Sequence, residues 1–245
     1  MSRFVDPTTF DASRVVFQAV PSKLKMGILI KATYNGEAIR YKLPTYVNAP
    51  FGISKGFQGE GDQLALTVAV AEKEGTEGLK SLCKSLDQAA LAHVIKNANT
   101  IFGTEGLAFK EKAKELACKE DSILEKFSES LKSSDDGKYA PKMRLKIGKI
   151  FTVYTKFGKK IEDGEVKDRI KERSEVKPVI AFSGLFLNSK TISTQWFVES
   201  AIATDPVGSN DDDFAGDFEV AEEPAAKRPK QEEVPQMPAS FSDSE

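Results

Sequence analysis

Basic residues alternate with apolar ones in a stretch that carries no acidic residue. No Asp or Glu lies in residues 138–160, and the alternation from 142 to 147 predicts a strand with one apolar and one cationic face. The first six cations of the stretch are Lys138, Lys142, Arg144, Lys146, Lys149 and Lys156, with Tyr139 and Tyr154 interleaved among them. Cations that neutralise phosphates, beside rings that stack on bases, are what an unpaired nucleic-acid strand requires. The alternative is a strand face that is merely solvated.

A second aromatic stretch, residues 43–57, reads LPTYVNAPFGISKGF. Its two prolines remove amide donors, so the chain should bend away from regular strand pairing. One interpretation is a bent corner with buried rings, which suits Phe51. The other is a platform on which Tyr46, Phe51 and Phe57 bind bases, with Tyr46 and Phe57 as the stronger candidates. Lys55, and Lys42 just before the stretch, would then reach phosphates.

The composition argues against enzyme and metal chemistry. The chain has 245 residues, two cysteines and one histidine, too few for a zinc cluster, a disulfide framework or a serine–histidine triad. His93 falls on a helical apolar stripe and is expected to pack rather than to bind a ligand. We therefore expect no catalytic residues, no metal and no cofactor.

Charge is divided unevenly along the chain. The net charge is −2 overall, yet residues 204–245 hold twelve acidic and three basic residues, so this tail is at −9 and the rest at +7. A basic body beside an acidic tail indicates a polyanion-binding surface and a segment that can compete for it. The composition of the tail predicts disorder.

Two kinds of motif stand out in the tail. Acidic residues with embedded rings form a candidate partner-binding segment, comprising Asp211, Asp212, Asp213, Phe214, Asp217 and Phe218, with Phe241 further on. A compact cluster, Lys227, Arg228, Pro229 and Lys230, is typical of a nuclear-import signal and would be bound by an import receptor.

The elements that must position these residues are mostly strands. Asn35-Gly36 between strand-like runs predicts a hairpin, and residues 63–71, 138–154, 178–187 and 191–203 read as further strands. Residues 157–177 read as a charged loop. An apolar stripe from Glu74 to Asn97 predicts a helix, and a second helix is expected from Phe109 to Leu131. Trp196, the only tryptophan, is expected in the core. Short strands around a helical interruption favour an antiparallel barrel.

At three places the sequence resembles viral single-stranded-DNA-binding proteins of tailed phages and of nucleocytoplasmic large DNA viruses. These are Ala49-Pro50-Phe51-Gly52-Ile53, the run Tyr139-Ala140-Pro141 through Lys146, and Ser183 to Trp196. The resemblance implies an OB-fold, binding of single-stranded DNA without strong sequence preference, a tail that contacts replication proteins, and a homodimer. The tail departs from this family, because it carries a basic cluster and does not end on an aromatic residue.

Together these observations predict a mainly β, OB-fold-like domain over residues 1–203 with a helical insertion at about 77–132, followed by a disordered acidic tail over 204–245. The expected function is single-stranded DNA binding in viral replication, recombination or repair, with polymerase, helicase or primase as partners of the tail. The alternative is a virion-associated or structural interaction protein that works through its tail. No apolar run has the length of a membrane span, and the basic cluster favours the host nucleus, or else cytoplasmic replication sites.

Overall fold

The structure is a computed structural model that describes residues 4–18, 21–24, 27–55, 63–104, 107, 109, 111–134 and 137–204. The strands are β1 Val15–Phe17, β2 Ser22–Leu24, β3 Gly27–Tyr34, β4 Ile39–Lys42, β5 Val47–Ala49, β6 Ile53–Lys55, β7 Leu64–Ala69, β8 Phe127–Ser128, β9 Leu131–Lys132, β10 Lys142–Thr155, β11 Ser174–Leu187 and β12 Ile192–Ala203. The helices are α1 Glu77–Lys96, α2 Ala98–Phe102, α3 Glu111–Ala117, α4 Glu120–Lys126 and α5 Val166–Arg169.

Five strands close into a barrel. Strand β5 pairs with β7, β7 with β10, β10 with β12, β12 with β11, and β11 with β5 again. In chain order, β5, β7, β10, β11 and β12 are the first to fifth strands of the barrel. Neighbours around the barrel therefore follow the order 1-2-3-5-4, and the third and fifth strands, β10 and β12, are parallel. This is the five-stranded Greek-key barrel of the OB-fold. The predicted fold class, mainly β and OB-like with inserted helices, is confirmed.

Strand β11 holds much of the sheet together. Along its length it pairs first with β5, then with β4 and finally with β3, while β12 runs antiparallel on its other edge. It begins at Ser174, within the segment predicted to be a loop. Ser174 and Val176 are buried, whereas Glu175 and Lys177 are not. Buried and partly exposed side chains thus alternate along the strand, and the charged ones lie on its outer face. The loop prediction is wrong for residues 174–177.

The turn at Asn35-Gly36 is confirmed, but the hairpin beyond it is short. Both residues have positive φ, 53° and 80°, as the sequence led us to expect. Tyr34 and Glu37 exchange two backbone hydrogen bonds of 2.9 and 3.0 Å. The two arms then separate, because β3 and β4 both pair with β11 instead of continuing along each other.

Between β7 and β10 the chain forms helices α1 to α4. The apolar stripe of α1 is buried as expected, but the second predicted helix is wrong in its extent. It is broken at Lys119, whose backbone is extended at φ −69° and ψ 138°, and its last residues form β8 and β9 instead. Leu116 and Leu124, expected on a packed face, are 52% and 47% exposed.

The core has two parts. One fills the barrel, where the buried Trp196 contacts the ring of Phe182 edge-on at 5.1 Å between centroids. The other joins α1 and α2 to the ends of β3 and β11. His93 packs as expected, stacked on Phe17 at 4.6 Å, and partial burial lowers its pKa. In the described part of the chain, no helix is long and apolar enough to cross a membrane.

Candidate nucleic-acid interface

The cationic face of β10 lies beside small residues of β7. The antiparallel register places Lys142 opposite Ala69, Arg144 opposite Thr67, and Lys146 opposite Ala65. Residues directly opposite each other point to the same face of the sheet. Met143 and Leu145 point the other way and are fully buried in the barrel. The three cations therefore share the outer face of β7 and β10 with small residues, of which Thr67 lines a cleft.

A cleft of about 630 Å³ lies over this face. Its second wall is polar and comes from the segment that contains β8 and β9 and from the β11–β12 hairpin. The lining residues are Phe51, Thr67, Ser128, Glu129, Ser130, Lys132, Ser133, Ser134, Tyr139, Ala140, Lys142, Arg144, Lys146, Phe186, Asn188, Thr191, Ser193, Thr194, Gln195 and Trp196. These described residues include four cations and one acidic residue, so the described part of the lining carries a positive charge that attracts polyanions.

Three aromatic rings of the cleft lie beside the lysines of β10. The ammonium of Lys142 lies 5.0 Å from the ring centroid of Phe51 and 5.3 Å from that of Tyr139. The ammonium of Lys146 lies 5.7 Å from the ring centroid of Phe186. All three distances are in the range of cation–π interactions. Rings and cations are therefore in contact with each other within the cleft.

Phe51 is presented to solvent by its turn. Its side chain is 54% exposed, so the interpretation of Phe51 as a buried corner residue is wrong. The next residue, Gly52, has φ +55°, and a Cβ there would lie 2.5 Å from the backbone carbon of Lys171. Only glycine fits this close approach without a shift of the backbone. Gly52 thus permits the turn that displays Phe51.

A buried hydrogen-bond network holds the polar wall in place. Asp87 of α1 accepts hydrogen bonds from the backbone N–H of Ser130 at 2.9 Å and from its hydroxyl at 2.5 Å. The same hydroxyl accepts a 2.8 Å bond from the indole N–H of Trp196 and lies 2.9 Å from the hydroxyl of Thr194. The network connects the helical insertion, the cleft wall and the barrel through one side chain.

Burial raises the pKa of Asp87 to about 6, against the lowering effect of the hydrogen bonds from Ser130. Nearby Glu129 raises it further. Because the folded protein binds this proton more tightly than the unfolded chain does, protonation stabilises the fold below about pH 4. We expect this contribution to the free energy of unfolding to fall by about 1–3 kcal/mol as the pH rises from about 4 to about 6.

Other carboxylates titrate in the same range, so the comparison variant is Asp87→Asn. Asparagine cannot ionise but can accept from the N–H of Ser130 and donate to its hydroxyl. Denaturant unfolding measures the free energy of unfolding of both proteins at pH 4 and pH 6.5. The difference in this free energy between the two proteins should change by about 1–3 kcal/mol between the two pH values. Parallel pH dependences would contradict the assignment of a raised pKa to Asp87.

The structure brings five of the sequence-predicted site residues into this cleft and leaves others outside its lining. Those in the lining are Phe51, Tyr139, Lys142, Arg144 and Lys146. Those elsewhere in the described chain are Lys42, Tyr46, Lys55, Lys138, Lys149 and Tyr154. Lys42 and Lys55 are exposed at strand ends, Tyr46 is half-buried, and its carbonyl accepts a 3.4 Å hydrogen bond from Lys73.

The remaining predicted residues lie outside the described ranges. They are Phe57, the acidic-aromatic segment with Asp211, Asp212, Asp213, Phe214, Asp217 and Phe218, then Phe241, and the cluster Lys227, Arg228, Pro229 and Lys230. The disorder and the partner contacts expected of the tail stay predictions.

Sequence reasoning missed Phe186, Thr67 and the polar wall. Period-2 alternation of β11 gives a signal for Phe186, because it places this ring on the face opposite to the buried Leu185 and Leu187. Thr67 lies in a segment that was predicted as a strand, but nothing in that prediction placed it beside a cleft. The serines of residues 128–134 gave no signal, since that segment was predicted to end a helix.

In comparisons with known proteins, no protein-family model and no curated protein matches this sequence. Among solved structures, it is similar to the single-stranded DNA-binding protein of bacteriophage Enc34 in complex with single-stranded DNA, at 13% identity and a TM-score of 0.45, over 77% of this chain and 96% of that one. The same Enc34 protein in another structure gives 14% identity and a TM-score of 0.45, over 80% and 94%.

A third similar structure is gp2.5, a single-stranded DNA binding protein encoded by bacteriophage T7. It is 13% identical with a TM-score of 0.38, over 76% of this chain and all of that one. Likeness at this level does not establish a function. What the cleft can bind follows from its own residues.

Proposed function

We propose that this chain is a single-stranded-DNA-binding protein that holds its ligand in the cleft over β7 and β10. The observation that carries the proposal is the placement of Lys142, Arg144 and Lys146 in one cleft with the rings of Phe51 and Tyr139. These five residues come from segments about 90 positions apart, and the fold places them together. In OB-folds, the face of the second and third strands is the usual oligonucleotide-binding surface.

The ligand chemistry follows from the residue types. Cations along an extended strand can neutralise successive phosphates, and rings beside them can stack on bases whose faces are free. A duplex does not offer free base faces, so the rings favour an unpaired strand. Neither kind of contact depends on base identity, hence the binding has no strong sequence preference. The choice of DNA over RNA rests on the motif resemblance of the Pro50-Phe51-Gly52 segment.

The biological setting is proposed from sequence features. Binding without sequence preference suits a protein that coats exposed strands in viral replication, recombination or repair. The acidic tail with Phe214 and Phe218 would contact a polymerase, helicase or primase. The cluster Lys227–Lys230 would be bound by an import receptor and would direct the protein to the nucleus of a eukaryotic host, as in a large DNA virus. A homodimer is part of the same proposal.

The proposal is tested by the salt dependence of binding. If three cations of β10 each contact a phosphate, log K against log salt for oligo(dT) should fall with a slope of about −2 or steeper, since each contact on a single strand contributes about −0.7. Between 50 and 200 mM salt the affinity of the full chain should drop by about 20-fold, measured by fluorescence anisotropy. Binding with a flat salt dependence would contradict the phosphate contacts. Absence of binding would favour the alternative of an interaction protein that works through its tail.

A further inference from the structure

The ammonium of Lys142 lies beside two rings of the cleft at once. It lies 5.0 Å from the ring centroid of Phe51 and 5.3 Å from that of Tyr139. Phe51 follows β5 and Tyr139 precedes β10, so the two rings come from different parts of the barrel. Two distances to one atom limit the separation of the ring centroids to at most about 10 Å.

That upper limit leaves room for a single planar ligand. A base stacked between two rings needs about 7–8 Å between them, because carbon atoms in contact are about 3.5–4.0 Å apart. Phe51 is 54% exposed, so its ring can adjust its distance to Tyr139 without disturbing the core. The ammonium of Lys142 therefore lies near both rings on which a base would stack.

We propose that Phe51 and Tyr139 form a slot for one nucleobase, and that Lys142 fills this slot in the free protein and leaves it when the base enters. The inference rests on the proposed function and specifies one base subsite within it. Lys142 then has two successive partners. In the free protein its charge lies against two ring faces, and in the complex it binds the phosphate that precedes or follows the inserted base.

The exchange is favourable for a lysine in this position. Its charge sits on a flexible four-carbon stem, so the ammonium can move several ångströms while Cα stays in the strand. A contact between an ammonium and a phosphate is charge-assisted and stronger than a contact with a partly exposed ring. In the free protein, Lys142 also covers two apolar ring faces that would otherwise be exposed to water.

The first arm of the test uses Lys142→Met, which keeps most of the length of the unbranched side chain and removes its charge. If Lys142 binds a phosphate in the complex, the salt slope for oligo(dT) should become shallower by about 0.7 in the variant. Lys112→Met, an exposed lysine of α3 outside the cleft, is the matched control and should keep the slope of the unaltered protein. Circular dichroism shows whether both variants fold.

The second arm uses the unaltered full chain and an oligo(dT) in which thymine is replaced by 5-iodouracil. Irradiation links such a base to an aromatic side chain stacked on it, and mass spectrometry identifies the residue. We expect adducts on Phe51 and Tyr139. A slope unchanged by Lys142→Met, or adducts found only on other residues, overturns the proposal while the unaltered protein still binds. If the unaltered protein does not bind oligo(dT), the proposed function itself has failed.

Discussion

We expect the triple substitution Lys142→Glu, Arg144→Glu and Lys146→Glu to lower the affinity for oligo(dT) by about a thousandfold or more. A hydrogen bond to a charged group contributes about 1.5–3 kcal/mol, and 1.4 kcal/mol is a factor of ten in affinity. Losing three phosphate contacts therefore costs at least three factors of ten, and the new carboxylates repel the phosphates as well. All three side chains lie in the cleft lining and point away from the barrel interior, so the fold should persist.

The matched control changes the same net charge elsewhere. Lys112, Lys119 and Lys167 are exposed and lie outside the cleft lining, and their replacement by Glu lowers the charge by the same amount. This control should weaken binding only through the overall electrostatic field of the protein. We expect a loss of about tenfold or less at 0.15 M salt, because exposed charges are screened over about 8 Å. Equal losses in the two triple variants, measured by anisotropy, would show that net charge and not the cleft determines binding.

A large effect on stability is expected for Gly184→Ala. Gly184 lies at a register shift of β11 and has φ +127°, and an added Cβ would lie 1.9 Å from the carbonyl oxygen of Ile30 in β3. Backbone strain costs about 1–3 kcal/mol and overpacking about as much again. The expected loss of about 2–6 kcal/mol is a large part of the 5–15 kcal/mol that stabilises a typical domain. Because β11 continues from this point to Phe186, oligo(dT) binding should fall with the folded fraction.

Gly148→Ala is the control for this substitution. Gly148 lies in β10 without positive φ, and nothing lies within 4 Å of an added Cβ. We expect its free energy of unfolding to stay within about 0.5 kcal/mol of the original. Denaturant unfolding followed by circular dichroism measures both variants. A Gly184→Ala protein as stable as Gly148→Ala would mean that β3 and β11 are not packed as described.

Local patterns carried the correct sequence predictions. The alternation around Lys142, Arg144 and Lys146 depends only on neighbours in one strand, and Asn35-Gly36 encodes its own turn. The end of the second helix was not predictable in this way. Its apolar spacing continues to Leu131, but residues beyond Lys126 pair with β12 and β10, and such tertiary pairing overrides a weak local preference.

The cleft depended on information that the sequence does not display. Phe51 and Tyr139 come together because β5, β7 and β10 are neighbours in the barrel, and a single sequence does not state which strands pair. Phe186 reaches the same cleft through the β11–β12 hairpin, so it looked like one more apolar residue of a strand. Ser130 acquires its role from residues far away in the chain, Asp87 43 positions earlier and Trp196 66 positions later. Residue types could thus indicate the chemistry, while the fold selects which residues share a site.

The most direct measurement is a crystal structure of the full chain with oligo(dT). If the central claim is right, the strand lies in the cleft over β7 and β10, with phosphate oxygens within about 3 Å of the cations of β10. One base should lie between Phe51 and Tyr139, with the ammonium of Lys142 moved away from the two rings and onto a phosphate. DNA bound on another face, with the cleft empty and Lys142 still beside the two rings, would contradict the claim.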